Sequence, residues 1–138
     1  MIALDTNILA RFFIEDSQDK ESIKQQKIAH QVLLNACYVP VTVVLEFFWV
    51  MDKGYKLTQA QIYQVVTQLC SLSRITVESD NQVLIALNLY MQGMDFADAL
   101  HLVQSKHCDS FYTFDKKLDK KASALYSHTP VIIPQSSQ

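Results

Sequence analysis

The sequence predicts an α/β fold built on a central, mainly parallel sheet of four to five strands. Short apolar runs bounded by acids, prolines or glycines alternate along the chain with segments whose apolar residues recur at helical spacing. Strands that alternate with helices pair in parallel through right-handed crossovers. In such a sheet the carboxyl ends of the strands share one edge, so residues there converge although scattered in sequence. Four acids, Asp5, Glu46, Asp98 and Asp115, each sit beside a strand end or a helix start.

MIALDT is an apolar run ended by an acid, which reads as a short buried strand. NILARFFI follows at helical spacing, capped by Asp5 or Thr6. DSQDKES is a polar turn into a helix on which Ile23, Ile28, Val32 and Ala36 recur. CYVPV is a second brief strand. Thr42 then opens a strongly apolar helix, VVLEFFWVMDK, stopped by Gly54. Thr58 caps the next helix, with Ile62, Val65, Val66, Leu69 and Leu72 on its inward face. RITV is the third strand, and Ser79 or Asp80 begins a helix carrying Val83, Leu87 and Tyr90. DFADALHLVQSK is a further helix with Asp95 as its cap. DSFYTF is the fourth strand, Asp115 starts a short lysine-rich helix, and TPVIIP is the fifth strand. Residues 1–134 form one domain by this reading, and 135–138 a flexible tail.

A chain of 138 residues, nearly half hydrophobic and under a fifth charged, has enough apolar surface for one compact core and is not disordered. The three cysteines, Cys37, Cys70 and Cys108, are too few and too far apart for a disulfide framework or a zinc site, so free thiols are expected. The chain opens directly on a strand-like segment, and no apolar run approaches the ~20 residues that span a bilayer. Cytoplasmic location and no membrane contact are the expectation. Only two glycines occur, Gly54 and Gly93, both at helix ends, the place of a left-handed cap. None is left for a phosphate-cradling loop, so no nucleotide cofactor is expected.

Taken singly, Asp5, Asp95 and Asp115 are explained by helix capping, and Asp98 by the dipole of a first helical turn. Glu46 is harder to place. It interrupts a run of Val43, Val44, Leu45, Phe47, Phe48, Trp49 and Val50, where it either occupies the one exposed stripe or is a buried carboxylate that needs a partner. Together the four acids form an oxygen-only donor set. Carboxylates gathered in one cleft repel each other unless a cation neutralises them. Such a set selects Mg²⁺, with Mn²⁺ as a substitute, over zinc. The chemistry that this favours is metal-assisted hydrolysis of a phosphodiester.

LDTN at the amino terminus, a glutamate in the helix after the second strand, DFADALHL and TFD near the carboxyl end resemble the motifs of a PIN domain, most closely those of VapC-type toxin ribonucleases. The resemblance covers nearly the whole chain. It implies a three-layer α/β/α fold and a Mg²⁺-dependent endoribonuclease that cuts RNA. It also implies a homodimer silenced by a cognate antitoxin protein. By this resemblance Asp5, Glu46, Asp98 and Asp115 are the acidic metal-binding and catalytic positions, and Asp95 is a further acid of the same motif. Thr6 and Asn7 would brace the loop around Asp5, and Thr113 would orient Asp115.

RNA requires cations outside the acidic pocket. Arg11 and Lys116, nearest the acids, are the expected phosphate contacts, while half or more of Lys116, Lys117, Lys120 and Lys121 form a solvated face. His101, one turn after Asp98, reads as a hydrogen-bonded structural histidine. Phe47, Phe48 and Trp49 read as core, with a dimer or antitoxin surface as the competing reading. Two other functions stand beside the nuclease. One is a PIN-like module that binds RNA or protein without cutting. The other is an aspartate-dependent phosphatase, which lacks its second acid here because Asn7 occupies that position.

Overall fold

The computed structural model describes residues 1–15 and 19–136. Asp16, Ser17 and Gln18 of the expected polar turn, and Ser137 and Gln138 of the expected tail, lie outside the described residues. Strands and helices alternate as expected: β1 (Ile2–Ala3), α1 (Thr6–Phe13), α2 (Lys20–Val32), β2 (Cys37–Val39) and α3 (Val41–Trp49). A π-helical turn (Val50–Gly54), α4 (Gln59–Ser71), β3 (Ile75–Val77) and α5 (Asp80–Met91) follow. The chain closes with α6 (Phe96–Gln104), β4 (Phe111–Tyr112), α7 (Lys116–Leu125) and β5 (Val131–Ile132). It divides into two compact units, Met1–Asp80 and Asn81–Gln138.

In the first unit β1, β2 and β3 pair in parallel in that order, with Ile2 beside Cys37 and Cys37 beside Ile75. The ladder extends past β1 through a bond from the Leu4 N–H to the Tyr38 carbonyl, 2.9 Å, which delivers Asp5 to the carboxyl end of the strand. β1 was expected to be buried, yet Ile2 and Ala3 are exposed. Within this ladder β1 pairs only with β2, and Leu4 carries the burial. Leu9, Val39, Val44, Phe47, Met51, Ile62, Val66 and Leu69 fill the unit's core. Each such side chain contributes roughly 1.5–3 kcal/mol by leaving water.

Helix α1 is capped by Asp5, whose carboxylate accepts from the Thr6 N–H. Helix α4 carries a full capping box in which Thr58 and Gln61 exchange bonds. Helix α3 begins differently from expectation. Its N-cap is Pro40, not Thr42, and the Glu78 carboxylate accepts the free Val41 N–H at 2.7 Å. The expected inward face of α2 is also replaced. Ile23 and Ile28 are exposed, and Ser22, Ala29 and Leu33 turn inward. Small residues let this helix pack closely on α1. Gly54 closes the π-turn without a positive φ, so only Gly93, at φ +110°, is a left-handed cap.

In the second unit β4 and β5 pair in parallel, with Phe111 beside Val131. Helix α7 packs on β5, and Leu87, Met94, Phe96, Leu102, Val103, Leu118 and Ala122 are buried. Phe96 and Ala99 seat the start of α6, which fixes the segment that carries Asp95 and Asp98.

Candidate metal and phosphodiester site

Asp5 and Glu46 meet at one cleft of the first unit. Asp5 stands between β1 and α1 and spends Oδ1 on the Thr6 N–H, 2.8 Å. Thr6 is nearly buried, and its hydroxyl donates to Glu46 Oε1. That bond ties the loop after β1 to the middle of α3, forty residues on. Glu46 is exposed, which places it on the open stripe of an otherwise apolar helix, while Phe47 and Phe48 on its flanks are core. Asn7 lines the same cleft, and no hydrogen bond holds its side chain among the described residues.

Arg11 projects from α1 to the rim of this cleft. Its Nε donates to Gln25 Oε1 at 2.8 Å and its Nη1 to the Tyr55 hydroxyl at 3.0 Å. The cleft has a volume of about 340 Å³, and Trp49, Val50 and Tyr55 form its apolar side. Gln25 and Tyr55 were not singled out from the sequence. Tyr55 reaches Arg11 because the π-turn adds a residue to the helical ladder, its N–H bonding the Val50 carbonyl five positions back. No pattern in the sequence announces that turn.

The second group lies in the other unit. Asp95 caps α6, its Oδ2 accepting from the Asp98 N–H at 3.0 Å. Asp115 caps α7 by accepting the Lys117 and Leu118 N–H groups at 2.9 and 3.2 Å, both on Oδ1. The Thr113 hydroxyl accepts the Asp115 N–H at 3.0 Å and so fixes the strand-to-helix turn. Capping occupies one oxygen of each of these carboxylates and leaves the other for a ligand. Capping and ligation are therefore compatible at Asp5, Asp95 and Asp115.

The Asp98 side chain is half-buried, and its carboxylate accepts no hydrogen bond among the described residues. Burial pushes its carboxyl above the usual range. The neighbouring charges of Asp95 and Asp115 add to this, and His101 opposes them. His101 does not hydrogen-bond Asp98; it acts on it as a nearby charge, and its carbonyl accepts from Ser105. Lys116, Lys117, Lys120 and Lys121 are all exposed, and the Lys121 ammonium bonds the Gly93 carbonyl.

The donors are carboxylate oxygens, with neither imidazole nor thiolate among them, and a half-buried carboxylate with like charges beside it favours a cation. This chemistry fits a hard divalent metal. Among the described residues no group of three or more His, Cys, Asp or Glu is ready-made to hold a metal alone. Mg²⁺, which keeps several waters and needs few protein oxygens, suits sparse carboxylates. Among the described residues His107 and Cys108 belong to no group of three or more metal-ligating side chains. Among the described residues no helix is long and apolar enough to cross a membrane.

Comparison with known proteins agrees with the motifs. The family profile of the PIN domain matches residues 2–124. The chain is 28% identical over 107 residues to a VapC ribonuclease of Aquifex aeolicus (strain VF5), covering 77% of this chain and 79% of that protein. The α/β class and the PIN resemblance read from the sequence are both borne out. With helices alternating with parallel strands, helix-capping acids at the LDTN, DFADALHL and TFD motifs, and a profile match over nearly its whole length, the chain belongs to the PIN-domain family.

Proposed function

We propose that this protein is a Mg²⁺-dependent endoribonuclease that hydrolyses RNA phosphodiester bonds as the toxin of a toxin–antitoxin pair. The observation that carries the proposal is the Thr6–Glu46 bond, which braces Asp5 and Glu46 at one cleft although they lie far apart in sequence. Membership of the PIN family and likeness to a VapC ribonuclease support the same reading.

Asp5, Glu46, Asp98 and Asp115 would hold the Mg²⁺, for which Mn²⁺ would substitute. The cation supplies stabilisation of charge developing on the phosphate and a means of activating water. The protein's own part is positioning. Thr6 orients Glu46, Asp95 pins the main chain at Asp98, and Thr113 pins it at Asp115. Arg11 and Lys116 meet phosphates of the RNA strand. The fuller proposal is a cytoplasmic homodimer whose cleavage is blocked by a cognate antitoxin.

The test is cleavage of a labelled RNA by the purified protein. Cleavage is expected with Mg²⁺ or Mn²⁺ and stops with EDTA. Asp5→Asn and Asp98→Asn are expected to abolish it while the protein stays folded. Variants that cut at the parental rate would remove the catalytic assignment. Retention of RNA without products in either metal would leave a binding module.

A further inference from the structure

The cleft beside Asp5 and Glu46 has an aromatic side for which the carboxylates do not account. Trp49 is 64% exposed, whereas Phe47 and Phe48 of the same run are buried. Trp49 lies three residues after Glu46 on α3, so the indole and the carboxylate share a helix face. An indole left in water forfeits the burial that the rest of this helix obtains. Among the described residues it has neither a ring partner nor a hydrogen-bond partner.

Across the cleft, Arg11 is held at two points of its guanidinium, Nε by Gln25 and Nη1 by Tyr55. Its remaining N–H groups are left for an anion, in the planar fork that suits phosphate. The π-turn that delivers Tyr55 is of a kind frequent at functional sites. The cleft, at about 340 Å³, is within the range of small-ligand sites.

We infer that Trp49 is a base-stacking shelf: the base of an unpaired nucleotide lies on its indole, while the braced Arg11 takes a neighbouring phosphate and leads the backbone to Asp5 and Glu46. The inference rests on the nuclease reading and adds a residue that selects the substrate. Bases inside a duplex are stacked on each other and offer no free face, whereas splayed bases stack on aromatic side chains. Stacking of this kind tolerates any base, so Trp49 selects for an unpaired strand and not for a sequence. The fixed guanidinium beside the indole favours an anionic nucleotide over an apolar protein surface.

Trp49 is the only tryptophan in the chain, so intrinsic fluorescence reports on it alone. The full-length Asp98→Asn protein is titrated, with Mg²⁺, against a short dye-labelled single-stranded oligoribonucleotide, and indole emission and dye anisotropy are followed together. Emission is expected to fall saturably, with the midpoint that anisotropy gives, while the duplex of the same sequence leaves it unchanged. Trp49→Ala is expected to weaken strand binding roughly ten-fold or more, and Trp49→Phe to restore most of it.

The inference is overturned if the strand binds without changing emission, fails to bind, binds Trp49→Ala equally well, or is matched by the duplex. It is also overturned if Trp49→Ala leaves strand binding intact and instead changes the oligomeric mass, which would assign the ring to a protein interface. Its failure is separable from that of the nuclease reading. Quenching by the strand, with no cleavage by the parent protein, removes the nuclease and keeps the shelf. Cleavage with the same KM by the parent and Trp49→Ala removes the shelf and keeps the nuclease.

Discussion

Replacing Thr6 by Val removes one hydroxyl and almost no volume, so it isolates the bond that joins the Asp5 loop to Glu46. Thr6 is only 6% exposed, and the valine fills its site without a cavity. The bond loses its donor, but Glu46 is exposed and is rehydrated, so the cost stays near that of an ordinary hydrogen bond, about 0.5–1.5 kcal/mol. For a chain of this size, that lowers the melting temperature by roughly 2–5 °C. The rate is expected to fall further than stability. On the proposed function, a Glu46 carboxylate free to rotate is misplaced for the chemistry, and small misplacements cost about 10–100-fold. Thr6→Ser keeps the hydroxyl and is expected to retain most of the activity. Thermal melts and single-turnover RNA cleavage on both variants provide the assay. Full activity and an unshifted melt in Thr6→Val would show that the Thr6–Glu46 bond positions nothing.

Asp98→Asn is expected to leave the metal-free melting temperature unchanged or raise it, because a half-buried carboxylate beside Asp95 and Asp115 loses its charge; a clear drop in scanning calorimetry would contradict this. Gly93→Ala forces a side chain into φ +110° with nothing within 4 Å to clash, so the backbone alone is expected to cost about 1 kcal/mol. Gly54→Ala has an ordinary φ and only Val50 Cγ1 at 3.7 Å, and denaturant melts are expected to show it neutral or slightly stabilising. Burial, with Asp80 adding to it, pushes the Cys70 thiol up to about 11. Raised in the folded state, it contributes stability that is complete below its ordinary value of 9.0 and is lost as pH rises through about 11. Mass spectrometry after alkylation at mildly alkaline pH is therefore expected to find the exposed Cys108 modified before Cys70 and the buried Cys37.

What was legible in the sequence is what local chemistry decides. Asp5, Thr58, Asp95 and Asp115 announce helix starts because capping needs only neighbours within three residues. The alternation of strands and helices announced the parallel pairing. What failed depended on distant partners. Glu78 caps α3 from thirty-seven residues away, so Thr42 looked like the cap when Pro40 holds that place. The inward face of α2 was misread because Ile23 and Ile28 suggested a stripe, while close packing on α1 selects Ser22 and Ala29. Glu46 was ambiguous because apolar flanks do not reveal which stripe stays open. Tyr55 and Gln25 were missed because the π-turn and the Arg11 bonds are tertiary. The exposed Trp49 had one available signal, its spacing of three residues from Glu46.

The proposed nuclease depends on a divalent ion held at the Asp5–Glu46 cleft of the first unit. Calorimetric titration of Mg²⁺ into the intact protein, Asp5→Asn and Glu46→Gln tests this directly. Saturable binding by the parent protein and its loss in either variant are expected. Undiminished binding in both variants would contradict that placement.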